Sequence, residues 1–274
     1  MKNFSKSILG FLFYGKISKS ELSYAWRRGL IPEHKDLSIC TYFFPHIKTF
    51  VDVGANTGIY CLSAANYREL KVFAFEPQED CVQDLLKTKE LNNWTNLVIE
   101  NYAISDSKSS LKLYRDECST GTSYVPNGDN YFSAKTIGLD DYFKSIKIDF
   151  IKIDVEGFEY EVLKSSISII KKYNPIIFLE LLEKTDHKKD SINLLTENGY
   201  KLFCYNYKIN RMKEFSGTSF ETINMYLCLN KKDLHHISSL NEIISKKQLL
   251  FLPFKYSNLS FWSKYLNYYF LLIR

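Results

Sequence analysis

Two glycines and a handful of acids are the residues of this sequence best placed to do chemistry. Residues 50–65 read FVDVGANTGIYCLSAA: an apolar run, a loop with Gly54 and Gly58 four apart, then the opening of a helix. A strand that turns through glycines into a helix is how α/β proteins hold nucleotide-like ligands. Gly54-Ala55-Asn56-Thr57-Gly58 lacks the G-x-G-x-x-G spacing that lets backbone close on a pyrophosphate. Asp52, just before the turn, would repel a diphosphate and would suit ammonium or sulfonium charge. Glu76 ends the next apolar run eighteen positions after Gly58, close to the offset of about 20 at which an acid accepts ribose hydroxyls. Singly, each feature has a plainer use: glycines make turns, and Glu76 beside Pro77 suits a helix N-terminus. In order, on the first two strands, they describe a ligand with a ribose, positive charge and no phosphate at the loop. S-adenosylmethionine has all three.

A second acidic group follows. In open α/β sheets ligands sit beyond the carboxyl ends of the strands, where Asp154 and Glu156 follow a fourth apolar run and Glu180 ends a fifth. With period-two geometry Lys152, Asp154 and Glu156 share one side if the strand runs that far, and Gly157 permits a tight turn. These carboxylates are the candidates for removing an acceptor's proton, with Asp154 also facing the cofactor. Their plainer uses are support of the next helix by Glu156 and Glu159, and an ion pair of Glu180 with a lysine such as Lys152. No metal is required; were one present, Asp154, Glu156 and Glu180 would hold it, and oxygen ligands favour Mg²⁺ or Mn²⁺ over zinc. His187 and His46 are alternative bases.

The elements that must position these residues alternate. Strands are expected at 48–53, 71–76, 96–104 and 148–155, with a further one at 174–181. Helices are expected at 57–67, after Pro77, at 159–173 and at 187–197, the last ending at Asn198-Gly199. Residues 109–115 read as a locally paired strand, 116–134 as an irregular loop, and 200–207 and 221–230 as the last strands. This alternation predicts a mostly parallel sheet with helices on both faces.

FVDVGANTGIYCLSAA, VFAFEPQED, NYAISDSKSSLKLY, LDDYF and IDFIKIDVEGFEYEVLKSS, ending in NPIIFLEL, together resemble the FkbM-type S-adenosylmethionine-dependent methyltransferases over about residues 48 to 182. The KIDVEGFE segment is the most particular. The resemblance implies a class I methyltransferase (Rossmann-like) fold, an α/β seven-stranded mostly parallel sheet whose last hairpin holds an antiparallel strand. It implies O-methylation, most often of a sugar hydroxyl in a glycan, glycolipid or related metabolite. It places Asp52, Gly54, Ala55, Asn56 and Gly58 around the methionine end of the cofactor, Glu76 and Pro77 at the ribose, and Tyr102 and Ala103 beside the adenine. Residues 1–45 and 208–274 carry none of its motifs.

Composition narrows the rest. Among 274 residues, 45% are hydrophobic, enough for a sizeable core, and the net charge of +5 falls short of a nucleic-acid binder's footprint. Six dispersed cysteines, with no C-x-x-C, read as reduced thiols in a cytoplasm, with Cys61, Cys204 and Cys228 in apolar patterns as small core residues. The expected organisation is an N-terminal helical extension (1–45), a methyltransferase domain (46–230) and a basic, aromatic helical appendage (231–274). The apolar run at 8–14 is too short for a spanning helix and is expected to dock as a helix. Residues 259–274 are expected to pack on the domain or a second subunit, or to touch a membrane interface. The resemblance implies a carbohydrate or glycolipid acceptor, and no nucleic-acid partner is expected. RNA ribose methylation, a nucleotide-dependent oxidoreductase and a non-catalytic membrane-associated binding protein are the competing readings. A missing Asn/Asp-Pro-Pro-Tyr turn and a missing Pro-Cys dipeptide disfavour base-directed methylation.

Overall fold

The computed structural model describes residues 3–16, 34–106, 110–115, 122–123, 130–181, 187–206, 208–216 and 225–245. Its first elements are β1 (Asn3–Ile8) and β2 (Phe11–Lys16), an antiparallel hairpin in which Ile8 faces Phe11. This corrects the helix expected over 8–14. Leu9 and Gly10 both have positive φ (52° and 82°), as a two-residue hairpin turn requires. Beyond it burial follows period two: Phe11 and Phe13 are buried and Leu12 is exposed. Among the described residues of the extension, helix is found at α1 (His34–Phe43).

The central elements then alternate: β3 (Thr49–Val53), α2 (Ile59–Ala65), β4 (Lys71–Phe75), α3 (Glu79–Leu91) and β5 (Leu97–Glu100). The short β6 (Ala103–Ile104) follows, then β7 (Leu111–Arg115), β8 (Thr122–Ser123) and β9 (Tyr131–Ala134), which pair into a small antiparallel sheet. The stretch expected to be irregular therefore contributes two strands. β10 (Thr136–Ile137) pairs with β6 and leads through α4 (Leu139–Phe143) to β11 (Phe150–Ile153). The expected helix over 159–173 is two helices, α5 (Glu159–Lys164) and α6 (Ile167–Tyr173). At the break the Ser165 and Ser166 hydroxyls both donate to the Val162 carbonyl, the back-bonding by which serines bend helices. β12 (Ile176–Glu180), α7 (Lys188–Glu197), β13 (Tyr200–Asn206), β14 (Arg211–Glu214), β15 (Met225–Asn230) and α8 (His236–Ser245) complete the order. α7 ends as expected, with Gly199 left-handed at φ 81°.

The main sheet runs β5-β4-β3-β11-β12-β15-β13-β14. β3, β4, β5, β11 and β12 are parallel neighbours, and β15 runs antiparallel between β12 and β13. Seven strands match the expected count and antiparallel hairpin; the eighth, β14, extends the edge by pairing with β13. Alternate residues feed two cores. Phe50, Phe150 and Phe178 join α1, α2 and α3 on one face, while Val51, Ile151 and Ile177 join α4, α5 and α6 on the other. Asp52 and Lys152, two residues on from Phe50 and Phe150, share the α2 face. The strand order reverses between β3 and β11, the point at which open α/β sheets hold ligands in a crevice beyond the carboxyl ends of their strands.

Candidate active site at the carboxyl edge of the sheet

The glycine loop is fixed by its backbone. The N–H groups of Gly54 and Ala55 both donate to the Phe75 carbonyl at 3.0 Å, and Gly58 donates to the Ala55 carbonyl at 2.8 Å. Gly54, Asn56 and Gly58 are all left-handed (φ 77°, 49° and 90°). A Cβ at Gly58 would stand 2.3 Å from the Leu85 side chain, so that glycine also serves helix packing.

Two carboxylates hold this loop from below. Asp52 is fully buried; its Oδ2 accepts the Cys61 N–H at 3.0 Å, across the first turn of α2. Burial pushes its carboxyl up, against the pull of the Lys152 ammonium. Glu76, 3% exposed, accepts N–H bonds from Asn56 (2.7 Å) and Gln78 (2.8 Å), one on each oxygen. Burial outweighs both bonds and raises it to about 7. Asn101 donates to the carbonyls of Glu76 and Pro77, pinning the turn after β4. Tyr102 packs on the second core, and Ala103 is buried with its N–H on the Lys135 carbonyl.

The second acidic group sits across the crevice. β11 stops at Ile153, so Asp154 and Glu156 lie on a turn and not on a strand continuation. Glu156 is left-handed at φ 52°, which departs from the period-two expectation. The turn nevertheless brings one oxygen each of Asp154, Glu156 and Glu180 within 4.8 Å of one another. Glu180 hydrogen-bonds to Asp154 rather than pairing with Lys152. Burial and the charges of Asp154 and Glu156 push Glu180 far up, which favours its protonated form. Burial also opposes ionisation of Asp154, but the Lys152 ammonium and the Glu180 bond outweigh it and hold this carboxyl below its ordinary value. Glu159 accepts the Gly157 N–H at 2.8 Å and supports the turn; burial raises it to about 7.

The expected residues therefore fall into two facing groups, with Lys152 between them, a residue expected on the side of Asp154 and Glu156 and as an ion-pair partner of Glu180. Its signal was a lysine inside the apolar run IDFIKIDV. The alternative bases fare differently. His46 precedes β3, at the amino end of the strands, among the rings of Tyr42 and His236. His187 is half exposed, stacks on Tyr160 and contacts Asp190 at 3.2 Å.

The site fits S-adenosylmethionine on its own chemistry. Asn56 Oδ1 is a buried acceptor with no hydrogen-bond partner, in a glycine loop whose neighbouring acid Glu76 is held by two backbone N–H groups. Fold and site together define a class I methyltransferase. This chain belongs to the FkbM methyltransferase family: the Methyltransferase FkbM domain matches residues 52–202, more than half of the chain. That makes it an S-adenosylmethionine-dependent enzyme. Hexuronic acid methyltransferase AglP of Haloferax volcanii is 29% identical over 170 residues, covering 60% of this chain and 67% of that protein. Methyltransferase FkbM of Methylobacillus flagellatus, a solved structure, is 16% identical with a TM-score of 0.44. The match covers 66% of this chain and 43% of that one, so this chain spans less than half of its length. TYW2 of M. jannaschii, solved in complex with AdoMet, is 12% identical with a TM-score of 0.41 over 83% of this chain and 84% of that one.

Proposed function

We propose that this enzyme methylates a sugar hydroxyl in a glycan, glycolipid or related metabolite. The observation that carries the cofactor half is the Glu76 carboxylate, held by two backbone N–H groups beside the glycine loop. Asp52, Gly54, Ala55, Asn56 and Gly58 surround the methionine end, Glu76 and Pro77 meet the ribose, and Tyr102 and Ala103 border the adenine. The bound cofactor supplies an activated methyl on a sulfonium. The protein's share is to orient the acceptor and take up its proton. Asp154 is the ionised carboxylate of the second group and acts as the base. Glu180 donates to it and fixes its orientation, and Glu156, exposed on the turn, meets the acceptor. The sugar assignment is supported by AglP, named for methylating a hexuronic acid.

Among the described residues no helix is long and apolar enough to cross a membrane. Buried free thiols at Cys61, Cys204 and Cys228 suit a reducing cytoplasm; Cys118 lies outside the described residues. Contact of residues 259–274 with a membrane or a second subunit also lies outside them. Vesicle flotation and sedimentation of the full chain against a truncation before 259 would test both.

Calorimetry with S-adenosylhomocysteine, and separately NADH, tests the cofactor half. Micromolar binding of the former, weakened at least tenfold in Glu76→Ala, is expected; binding of NADH alone would overturn it. Transfer of labelled methyl to uronic acids and neutral sugars, with RNA as control, tests the acceptor half. Label appearing only in RNA would sink the sugar reading.

A further inference from the structure

Lys152 stands in the middle of the sheet, flanked along β11 by the buried Ile151 and Ile153. It is 2% exposed, and its register neighbours are Asp52 on β3 and Phe178 on β12. An apolar side chain would fill this place with no charge to desolvate, whereas a buried ammonium is tolerated only with well-placed partners. Lys152 Nζ is 3.4 Å from Asp52 Oδ1, 3.3 Å from Asp154 Oδ2 and 3.2 Å from the Gly54 carbonyl, to which it donates. The ring of Tyr60, on the helix that the glycine loop opens, lies 4.9 Å from the same nitrogen.

An ion pair serving stability alone would need one carboxylate. Here a single ammonium is shared almost equally between Asp52, which is fully buried, and Asp154, whose side chain is 26% exposed. Lys152 thus joins an anchor in the core to a carboxylate at the site. It also fixes the Gly54–Ala55 peptide from both ends: the carbonyl meets Lys152 and the N–H meets the Phe75 carbonyl. A peptide held at both ends cannot flip, so the glycine loop keeps one face toward its ligand.

We propose that Lys152 is a positioning residue of the cofactor site, locking the ends of β3 and β11 into one frame through Asp52, Asp154 and the Gly54 carbonyl. The inference rests on the reading of this crevice as the S-adenosylmethionine site. It acts through its neighbours and touches neither methyl nor acceptor.

The test is a double-mutant cycle on S-adenosylhomocysteine affinity, read by calorimetry with the full chain: wild type, Lys152→Met, Asp154→Asn and the double variant. Loss of one partner of a buried charge group predicts about thirtyfold weaker binding in Lys152→Met. Because Lys152 works through Asp154, adding Asp154→Asn to Lys152→Met should weaken binding by less than about threefold more, although it is costly alone. Additive losses would mean a packing role and overturn the proposal. So would binding by Lys152→Met within twofold of wild type, which leaves the cofactor reading intact. No binding by wild type would instead remove that reading and the proposal with it. If Lys152→Met does not fold, Lys152→Gln, smaller and still a donor, enters the same cycle with the same expectations.

Discussion

A Cβ placed on Gly54 would lie 1.9 Å from the carbonyl oxygen of Asp154. The ends of β3 and β11 thus meet backbone to backbone, in the register that pairs Val53 with Ile153, and the Asp154 N–H donates to the Val53 carbonyl at 3.1 Å. No side chain fits, and φ of 77° adds strain for any L-residue. Gly54→Ala should therefore cost at least about 2 kcal/mol of stability in urea denaturation and abolish S-adenosylhomocysteine binding. A stable Gly54→Ala that binds normally would mean the two strand ends do not define the site.

Glu76 makes opposite demands on folding and on binding as pH changes. Its value rises from 4.5 to about 7 on folding, chiefly through burial, equivalent to about 3 kcal/mol. Between these values the folded state holds more protons than the unfolded chain. Its contribution to stability is therefore greatest below 4.5, declines as pH rises to about 7, and is flat above. A ribose is better served by the ionised carboxylate, so S-adenosylhomocysteine affinity should climb through the same window. His236, lowered to about 4 by burial and by its histidine neighbours, pulls stability the other way below 6.5. The informative quantity is thus the difference between wild type and Glu76→Gln. The variant should lose the slope between 4.5 and 7 and bind at least tenfold more weakly; identical pH profiles would place the titration elsewhere.

What the sequence made legible, and what it hid, divides along the range of the interactions. The strand-loop-helix at 48–67 and the acid after β4 are local in sequence, and they stand where they were expected. Asp154, Glu156 and Glu180 were legible as three acids at strand ends, because carboxyl ends of parallel strands share one edge. Hidden was the direction of each side chain: Glu156 reaches the group through a left-handed turn, and Glu180 pairs with Asp154 rather than with Lys152. The Glu180 outcome depends on a neighbour 26 positions away, and Glu156 meets Glu180 across 24 positions. The hairpin at 3–16 departs from the expected helix because a short apolar run is ambiguous in period, and Gly10 belongs to the turn between its strands.

That hairpin is held by α3, and a single side chain does much of the holding. Asn92 Oδ1 accepts the Leu12 N–H at 2.9 Å and its Nδ2 donates to the Leu12 carbonyl at 2.7 Å, while Thr88 bonds Tyr14 in the same way. Asn92→Ala should lower stability by about 1–3 kcal/mol and leave S-adenosylhomocysteine affinity within twofold, as the contact is remote from the crevice. A change in affinity larger than in stability would tie the hairpin to the site.

The three converging carboxylates have the spacing of a cation site, but Asp154 already has a cation beside it. Lys152 lies against Asp154, and burial with the charges of Asp154 and Glu156 favours a proton on Glu180. Treatment with EDTA should leave methyl transfer within twofold, and added Mg²⁺ should not raise it. Activity lost to EDTA and restored by Mg²⁺ or Mn²⁺ would show that the cation displaces this proton, and would turn the trio into ligands.

Asp154 and Glu180 divide one proton, and their variants should separate the two roles. Asp154→Asn removes the ionised oxygen beside Lys152, so kcat should fall by at least about 100-fold, the ordinary worth of a positioned base. Glu180→Gln keeps a donor where the protonated acid has one and should retain kcat within about tenfold. Glu180→Ala leaves Asp154 without that bond and should lose more than the Gln variant. The pattern matters more than any single value. If Glu180→Gln proved the more damaging change, Glu180 would be the base and Asp154 its partner, and the proton would have to sit on Asp154 in the working enzyme.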